Sequence, residues 1–400
     1  MTTFVSLFSG AGGLDIGLQR AGWDCRYATD FDKDAVETLK LNAAAGRFGD
    51  GGHIRQADIR NLTGDEVLSD IGRRRGDIDL LAGGPPCQSW SSAGHQLGFN
   101  DPRGCLFEDY LRVAKQLDVR WLLFENVRGL ITAKGADGLP GSALAAIRLA
   151  LFKAGWQTHV GLLNAADYGA PQRRVRVVLI GYRQGDEPPL PTPSHSERIE
   201  EGRTQWVSMT EGLGALDAPQ ADEIIRPSGK LVVELEGILP GSGVKSPGKR
   251  ETTRPGGHWG YKQGAFVADP QRPARTVTAN AQQDWIRDPV HGLRRLSPRE
   301  CAALQTFPAD WVFTGKRIDQ YRQIGNAVPP LLAERIGQTL RAHVTGISAP
   351  ADCKSVGIAP LPARLQAAID YTTREHRRNG ASRMAAPSLR RSGHRQIRVG

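Results

Sequence analysis

Cys87 stands in Gly83-Gly84-Pro85-Pro86-Cys87-Gln88-Ser89-Trp90, directly after the apolar run 79–82. A thiol just past the carboxyl end of a buried strand lies where open α/β sheets bind ligands. The paired prolines stiffen the chain that leads to it. A lone cysteine is more often buried and inert, so its chemistry depends on partners elsewhere in the chain. Glu125 closes a second apolar run, Trp121-Leu122-Leu123-Phe124-Glu125. A partly desolvated carboxyl there would hold its proton to higher pH and could serve as an acid. Arg174 and Arg176, in Gln172-Arg173-Arg174-Val175-Arg176, fall on one face of a strand by alternation. Two guanidiniums so placed suit a phosphate or a carbonyl. A fourth feature is Phe8-Ser9-Gly10-Ala11-Gly12-Gly13, between an expected strand and an expected helix. Its glycines allow positive φ and close ligand approach. Asp15 occupies the third glycine position of a dinucleotide fingerprint. Asp30, at the end of the next expected strand, can accept hydrogen bonds from both hydroxyls of a ribose. Phe31 beside it can pack on an adenine face. The pair points to a nucleoside cofactor without a pyrophosphate.

These side chains need a frame to hold them. Residues 3–8, 26–30, 79–82, 121–125 and 175–181 read as buried strands, and residues 14–21, 35–42 and 142–154 as helices. This βαβ rhythm predicts an α/β fold with a doubly wound, mostly parallel sheet. From about residue 184 the texture turns to Pro, Gly and polar residues, and a second, irregular unit runs to about residue 289. Helical spacing returns over 296–305 and 331–343, and the last fifty residues read as a tail with one helix near 363–373.

At 400 residues the chain has room for two or three compact units. It contains no long apolar run of membrane-spanning length, and its start lacks a basic and apolar leader pattern; a cytoplasmic protein is expected. The five cysteines show no CxxC spacing, so neither a disulfide framework nor a zinc site is supported, and no metal is expected. The formal charge of +10 invites a polyanion partner. Residues 347–400, however, hold ten Lys or Arg against three acids, so the tail carries +7 and the rest only +3. Charge alone therefore says little about the main body.

Taken together, the motifs form a recognisable set. The chain resembles the bacterial-type cytosine-C5 DNA methyltransferases over most of residues 3–345. The resemblance rests on FSGAGG, PPCQSW, the segment Asp101 to Phe107, Glu125-Asn126-Val127, the Gln172 to Arg176 segment, Arg272-Pro273-Ala274-Arg275-Thr276-Val277 and Gly325-Asn326-Ala327-Val328-Pro329-Pro330. Each is weak alone; seven in the family's order are specific. Trp90 stands where the family usually has Phe, a conservative change. The resemblance implies a class I methyltransferase sheet and methyl transfer from S-adenosylmethionine to cytosine C5 in a specific double-stranded DNA sequence. Cys87 resembles the nucleophile that adds to C6, and Glu125 the partner of N3. Arg176, with Arg174, resembles the group that contacts the target base and orders the site. Phe8, Ser9, Gly10, Ala11, Gly12 and Gly13 would line the cofactor pocket, with Asp30 on the ribose and Phe31 on the adenine. Asp58 and Ile59 would read the adenine edge, and Pro86 and Leu106 would lie near the cofactor. Asn326 and Ala327 would close the pocket, so the chain end should fold back on the first unit.

The same resemblance divides the chain into a catalytic unit at 1–183, completed by a returning segment at about 290–346, a target-recognition unit at 184–289, and a basic, partly disordered tail at 347–400. Residues 89–104, with Gly94, Gly98 and Gly104, read as a loop that closes over a cytosine rotated out of the duplex. Within 245–262, five Lys or Arg accompany His258, Trp259 and Tyr261, a composition suited to phosphates and base edges. A monomer is expected, partnered in function, not necessarily in contact, by a cognate restriction endonuclease. A transfer-RNA cytosine methyltransferase on the same scaffold is the nearest alternative; the sizeable insertion between Arg176 and Arg272 favours DNA. A silent DNA-binding module fits less well with Cys87, Glu125, Arg174 and Arg176 all present.

Overall fold

The structure, a computed structural model, describes residues 1–49, 52–86, 106–183, 185–249, 263–346 and 357–384, with side chains as far as residue 378. Its main sheet grows from β1 (Thr3–Leu7), every residue of which is buried. Helix α1 (Gly13–Arg20) leads to β2 (Asp24–Asp30), and α2 (Lys33–Ala44) to β3 (His53–Gln56). After α3 (Gly64–Asp70) come β4 (Leu80–Gly83), α4 (Leu106–Leu117), β5 (Trp121–Val127), α5 (Ser142–Lys153), β6 (Gln157–Asn164) and β7 (Val175–Tyr182). The seven strands lie in the order β3-β2-β1-β4-β5-β7-β6. All neighbours are parallel except β7, which runs antiparallel between β5 and β6. The doubly wound, mostly parallel sheet is therefore present, with one reversed strand.

Alternation along β1 splits the core between the two faces of the sheet. Phe4 packs with the returning C-terminal helices through Leu332, Ile336 and Leu340. Val5 and Leu7 pack on the other face with Val113 and Leu117 of α4 and Leu144 and Ile147 of α5. Strand β6 (QTHVGLLN) mixes glycine and polar residues, and β3 (HIRQ) is a short polar edge; neither presents a period that sequence reading could use. Helix α4 did carry a signal: Phe107, Tyr110, Val113, Ala114 and Leu117 are its buried face at helical spacing.

The second unit contains β8 (His195–Ser196), β9 (Thr204–Gln205), α6 (Met209–Leu213) and α7 (Lys230–Glu236). Its four-stranded sheet, β10 (Ser242–Gly243), β11 (Phe266–Val267), β12 (Trp285–Asp288) and β13 (Gly292–Arg295), closes over Leu235, Ile238, Val267 and Trp285. This sheet runs to Arg295, beyond the expected limit at residue 289. Helices α8 (Pro298–Leu304), α9 (Arg317–Asn326) and α10 (Pro330–Gly346) then return to the main sheet. Helix α10 seats on α1 through glycines. A Cβ on Gly17 would come within 2.4 Å of Ala333 Cβ and of Pro330 O. The chain end thus folds back on the first unit. A last helix, α11 (Ala363–Met384), follows. Among the described residues no helix is long and apolar enough to cross a membrane.

Candidate active site

The candidate residues gather at the carboxyl edge of the main sheet. Glu125 is near the end of β5, and Arg176 lies opposite Val127 on the adjacent β7. Arg176 Nε lies 2.9 Å from Glu125 Oε1, and both side chains are nearly buried. The contact is close but not aligned as a hydrogen bond, because Oε1 has no aligned donor among the described residues. Burial pushes the Glu125 carboxyl up, offset in part by the Arg176 and Arg174 charges. The same carboxylate rests against the chain that leads to Cys87. A Cβ on Gly84 would sit 2.9 Å from Glu125 Oε2, so glycine is needed for this approach. Next to it, buried Asn126 donates from Nδ2 to the Pro85 carbonyl at 3.0 Å. Asn126 was not singled out from the sequence; its place beside Glu125 at a strand end was the available signal. Pro86 is exposed. Cys87 and the segment 89–104 lie outside the described residues. The two described cysteines, Cys25 and Cys301, are buried, and desolvation pushes both thiols well up. That direction is wrong for a nucleophile.

Arg174 and Arg176 share one side of the chain but differ in work. Arg174 is fully buried. It donates from Nη1 to Val277 O at 2.8 Å and from Nη2 to Gly325 O at 2.6 Å. Beside it, Gln172 Oε1 accepts from Val277 N at 2.7 Å, and Thr276 Oγ1 donates to Arg173 O at 2.7 Å. Three sequence motifs far apart in the chain are therefore one hydrogen-bonded knot. Arg174 is held within this knot, and among the described residues Arg176 alone of the two pairs with Glu125.

The turn after β1 is built for close approach. Phe8, Gly10 and Gly12 all have positive φ (57°, 54° and 85°), a region that costs Phe8 energy. A Cβ on Gly10 would meet nothing within 4 Å, so the turn faces open space. Asp30 Oδ2 accepts from Gly10 N and Oδ1 from Asp32 N, each at 2.8 Å. Both oxygens keep lone pairs for further donors. Burial pushes the Asp30 carboxyl up, against those hydrogen bonds. Phe31 is 69% exposed beside it. Strand β3 brings in its neighbours: Ala57 N donates to Asp30 O at 3.1 Å, and Asp58 follows. The Asp58 carboxylate is held by Arg60, whose hydrogen bonds lower it. Ile59 is buried, and its carbonyl accepts from Arg112 of α4 at 2.6 Å; Leu106 opens that helix, half-buried. From the other side Ala327 packs on the turn. A Cβ on Gly13 would lie 2.3 Å from Val328 O and 3.0 Å from Ala327 Cβ. Asn326 is exposed at the end of α9.

Beneath the turn lies a polar chain that the sequence did not reveal. Ser9 Oγ donates to Ser6 Oγ at 2.9 Å, and Ser6 Oγ to Asp15 Oδ1 at 2.5 Å. Asp15 is fully buried, and its Oδ2 has no hydrogen-bond partner among the described residues. Desolvation pushes its carboxyl up to about 7, against the Ser6 and Ser9 hydrogen bonds.

Comparison with known proteins identifies the family. A family model described as C-5 cytosine-specific DNA methylase matches residues 2–342. The Type II methyltransferase M1.HphI of Haemophilus parahaemolyticus is 33% identical over 347 residues, covering 84% of this chain and 86% of its own length. The Type II methyltransferase M.FnuDI of Fusobacterium nucleatum is 33% identical over 355 residues, covering 84% and 94%. Among solved structures, the S. pombe Dnmt2 methyltransferase matches with a TM-score of 0.60 at 17% identity, covering 86% of this chain and 99% of its own. At that identity the likeness concerns the fold.

Proposed function

The chain belongs to the C-5 cytosine-specific DNA methylase family and is a DNA cytosine-C5 methyltransferase, and from that premise we propose that it works through a covalent adduct between Cys87 and C6 of a cytosine rotated out of duplex DNA. Cytosine C5 is a weak nucleophile. Addition of the Cys87 thiolate to C6 makes C5 enamine-like, splitting one hard step into easier ones. The observation that carries this reading is the Glu125 carboxyl, buried against Gly84, which itself precedes Cys87 in the Gly83-Gly84-Pro85-Pro86-Cys87 segment. Burial favours its protonated form, which suits it to donate to N3 as C6 is attacked. Arg176 holds that carboxyl in place and offers its remaining N–H groups to the base. Once C5 has accepted the methyl group, the C5 proton leaves to solvent, the thiolate is expelled from C6, and N3 returns its proton to Glu125, which restores the ring.

S-adenosylmethionine supplies an electrophilic methyl group when bound, and the open turn at Gly10, the Asp30 carboxylate and exposed Phe31 fit it. In this assignment Phe8 to Gly13 line the pocket, Asp30 takes the ribose hydroxyls and Phe31 covers the adenine. Asp58 and Ile59 meet the adenine edge, Pro86 and Leu106 flank the cofactor, and Asn326 and Ala327 close the pocket. Residues 1–183 and about 290–346 form the catalytic unit, and the irregular unit between them reads the DNA. Rotating the base out of the stack costs a few kcal/mol, which contacts from that unit and from 89–104 offset. The Type II names of the relatives favour a place in restriction and modification.

Bisulfite sequencing of DNA from cells expressing the protein tests this reading. Wild type should add 5-methylcytosine at one short sequence. Cys87→Ser should add none, while titration calorimetry still detects S-adenosylmethionine binding. Substantial methylation by Cys87→Ser would rule out the covalent route.

A further inference from the structure

Helix α9 meets the start of α2 although the two lie far apart in the chain. Buried, uncharged bonds join them. Thr38 Oγ1 donates to Gln323 Oε1 at 2.6 Å, and Gln323 Nε2 donates to Thr314 O at 2.9 Å. On its other side α9 is held by Arg174, whose Nη2 donates to Gly325 O. Nearer the surface a single guanidinium spans the same junction. Arg322 Nη2 lies 2.9 Å from Asp32 Oδ2 and 3.4 Å from Asp34 Oδ2, and its Nη1 lies 3.1 Å from Asp319 Oδ1.

Two of these acids cap the helices that Arg322 joins. Asp32 Oδ1 accepts from Asp34 N at 2.9 Å and from Ala35 N at 3.3 Å, at the start of α2. Asp319 Oδ2 accepts from Lys316 N at 3.1 Å, at the start of α9. Asp32 also reaches back, since its N–H donates to Asp30 Oδ1 at 2.8 Å. The path from Arg322 to the Asp30 carboxylate therefore runs through one residue, and Phe31 is carried between its two ends. An exposed ring gains little orientation from packing, so the backbone on either side must set it. Asp30, Asp32 and Asp34 crowd three carboxyls into five positions. Among the described residues Arg322 is the cation paired with Asp32 and Asp34, and without it their mutual repulsion would spread this segment.

We propose that Arg322 is a positioning residue for the cofactor: through Asp32 it sets the Asp30 carboxylate and the Phe31 ring, and it ties them to the helix that ends at Asn326. This rests on the cofactor assignment above and deepens it. Half-exposed ion pairs add little to global stability, and the buried bonds of Thr38 and Gln323 keep α2 and α9 docked without them. The effect of Arg322 is thus local to the cofactor side of the site.

Titration calorimetry of S-adenosylmethionine binding to the full chain tests this. Arg322→Gln should weaken binding about 5-fold, the upper worth of an exposed ion pair, and keep the urea midpoint. Asp32→Asn retains a helix cap but removes the charge, and should weaken binding to a similar degree. The double variant should bind no worse than the poorer single, because both remove one interaction. At about 1 M salt, where the Debye length falls to about 3 Å, wild type and Arg322→Gln should converge. Arg26→Gln breaks a comparable pair with Asp24, 3.2 Å apart at the opposite end of β2, and should bind as wild type does. In methylation assays Arg322→Gln should raise KM for S-adenosylmethionine more than it lowers kcat. Wild-type affinity in Arg322→Gln, additive losses in the double variant, an equal loss in Arg26→Gln, or a urea midpoint that falls in step with affinity would overturn the proposal. If wild type itself binds no S-adenosylmethionine, the cofactor assignment fails instead.

Discussion

Replacing Asp15 with asparagine removes one ionisation from beneath the cofactor turn and keeps an oxygen for the Ser6 hydroxyl. The carboxyl is fully buried, and desolvation raises it to about 7, against about 3.9 in an unfolded chain. The folded state therefore holds this proton more tightly than the unfolded state. The resulting stability is complete below the unfolded value and fades as pH rises through the folded one. Linkage gives a loss of up to about 1.4 kcal/mol per pH unit in that window. From pH 5 to pH 8 the stability of wild type relative to Asp15→Asn should fall by about 2–3 kcal/mol, nearly all of it by pH 7.5. Urea unfolding followed by tryptophan fluorescence at half-unit pH steps measures the difference directly. Other carboxylates titrate in both proteins and cancel in the subtraction. Parallel stability curves across this range would refute the assignment and mean that Asp15 is ionised, or solvated, in the fold.

Two further outcomes follow from packing and exposure. Gly17→Ala forces a Cβ to 2.4 Å from Ala333 and Pro330, so it should destabilise by about 1–3 kcal/mol and lower the urea midpoint; an unchanged midpoint would mean that α10 is not seated on α1 this way. Phe31→Ala removes a ring that is 69% exposed, so stability should hold while S-adenosylmethionine affinity drops roughly 3- to 10-fold by calorimetry, the worth of an aromatic stack; unaltered affinity would remove Phe31 from the pocket.

Much of the site was written in the sequence because strand ends and glycine turns are local features. The run 79–82 followed by Gly-Gly-Pro-Pro, and the Phe8 to Gly13 turn with Asp30 after the next strand, could be placed on the carboxyl edge from periodicity alone. Family resemblance supplied the roles. The sequence could not separate Arg174 from Arg176, since alternation puts both on one side; only the tertiary structure shows one guanidinium consumed by the Val277 and Gly325 carbonyls and the other beside Glu125. It also could not place β7 antiparallel between β5 and β6, because strand order depends on contacts far apart in the chain. Asp15 read as a missing glycine, and its burial under Ser6 appears only once α1 is packed on the sheet. The tail read as loose positive charge. What its sequence determined was the charge itself; that the start of α11 docks on the catalytic unit was decided by Leu365, Ala368 and Ile369 packing into its core.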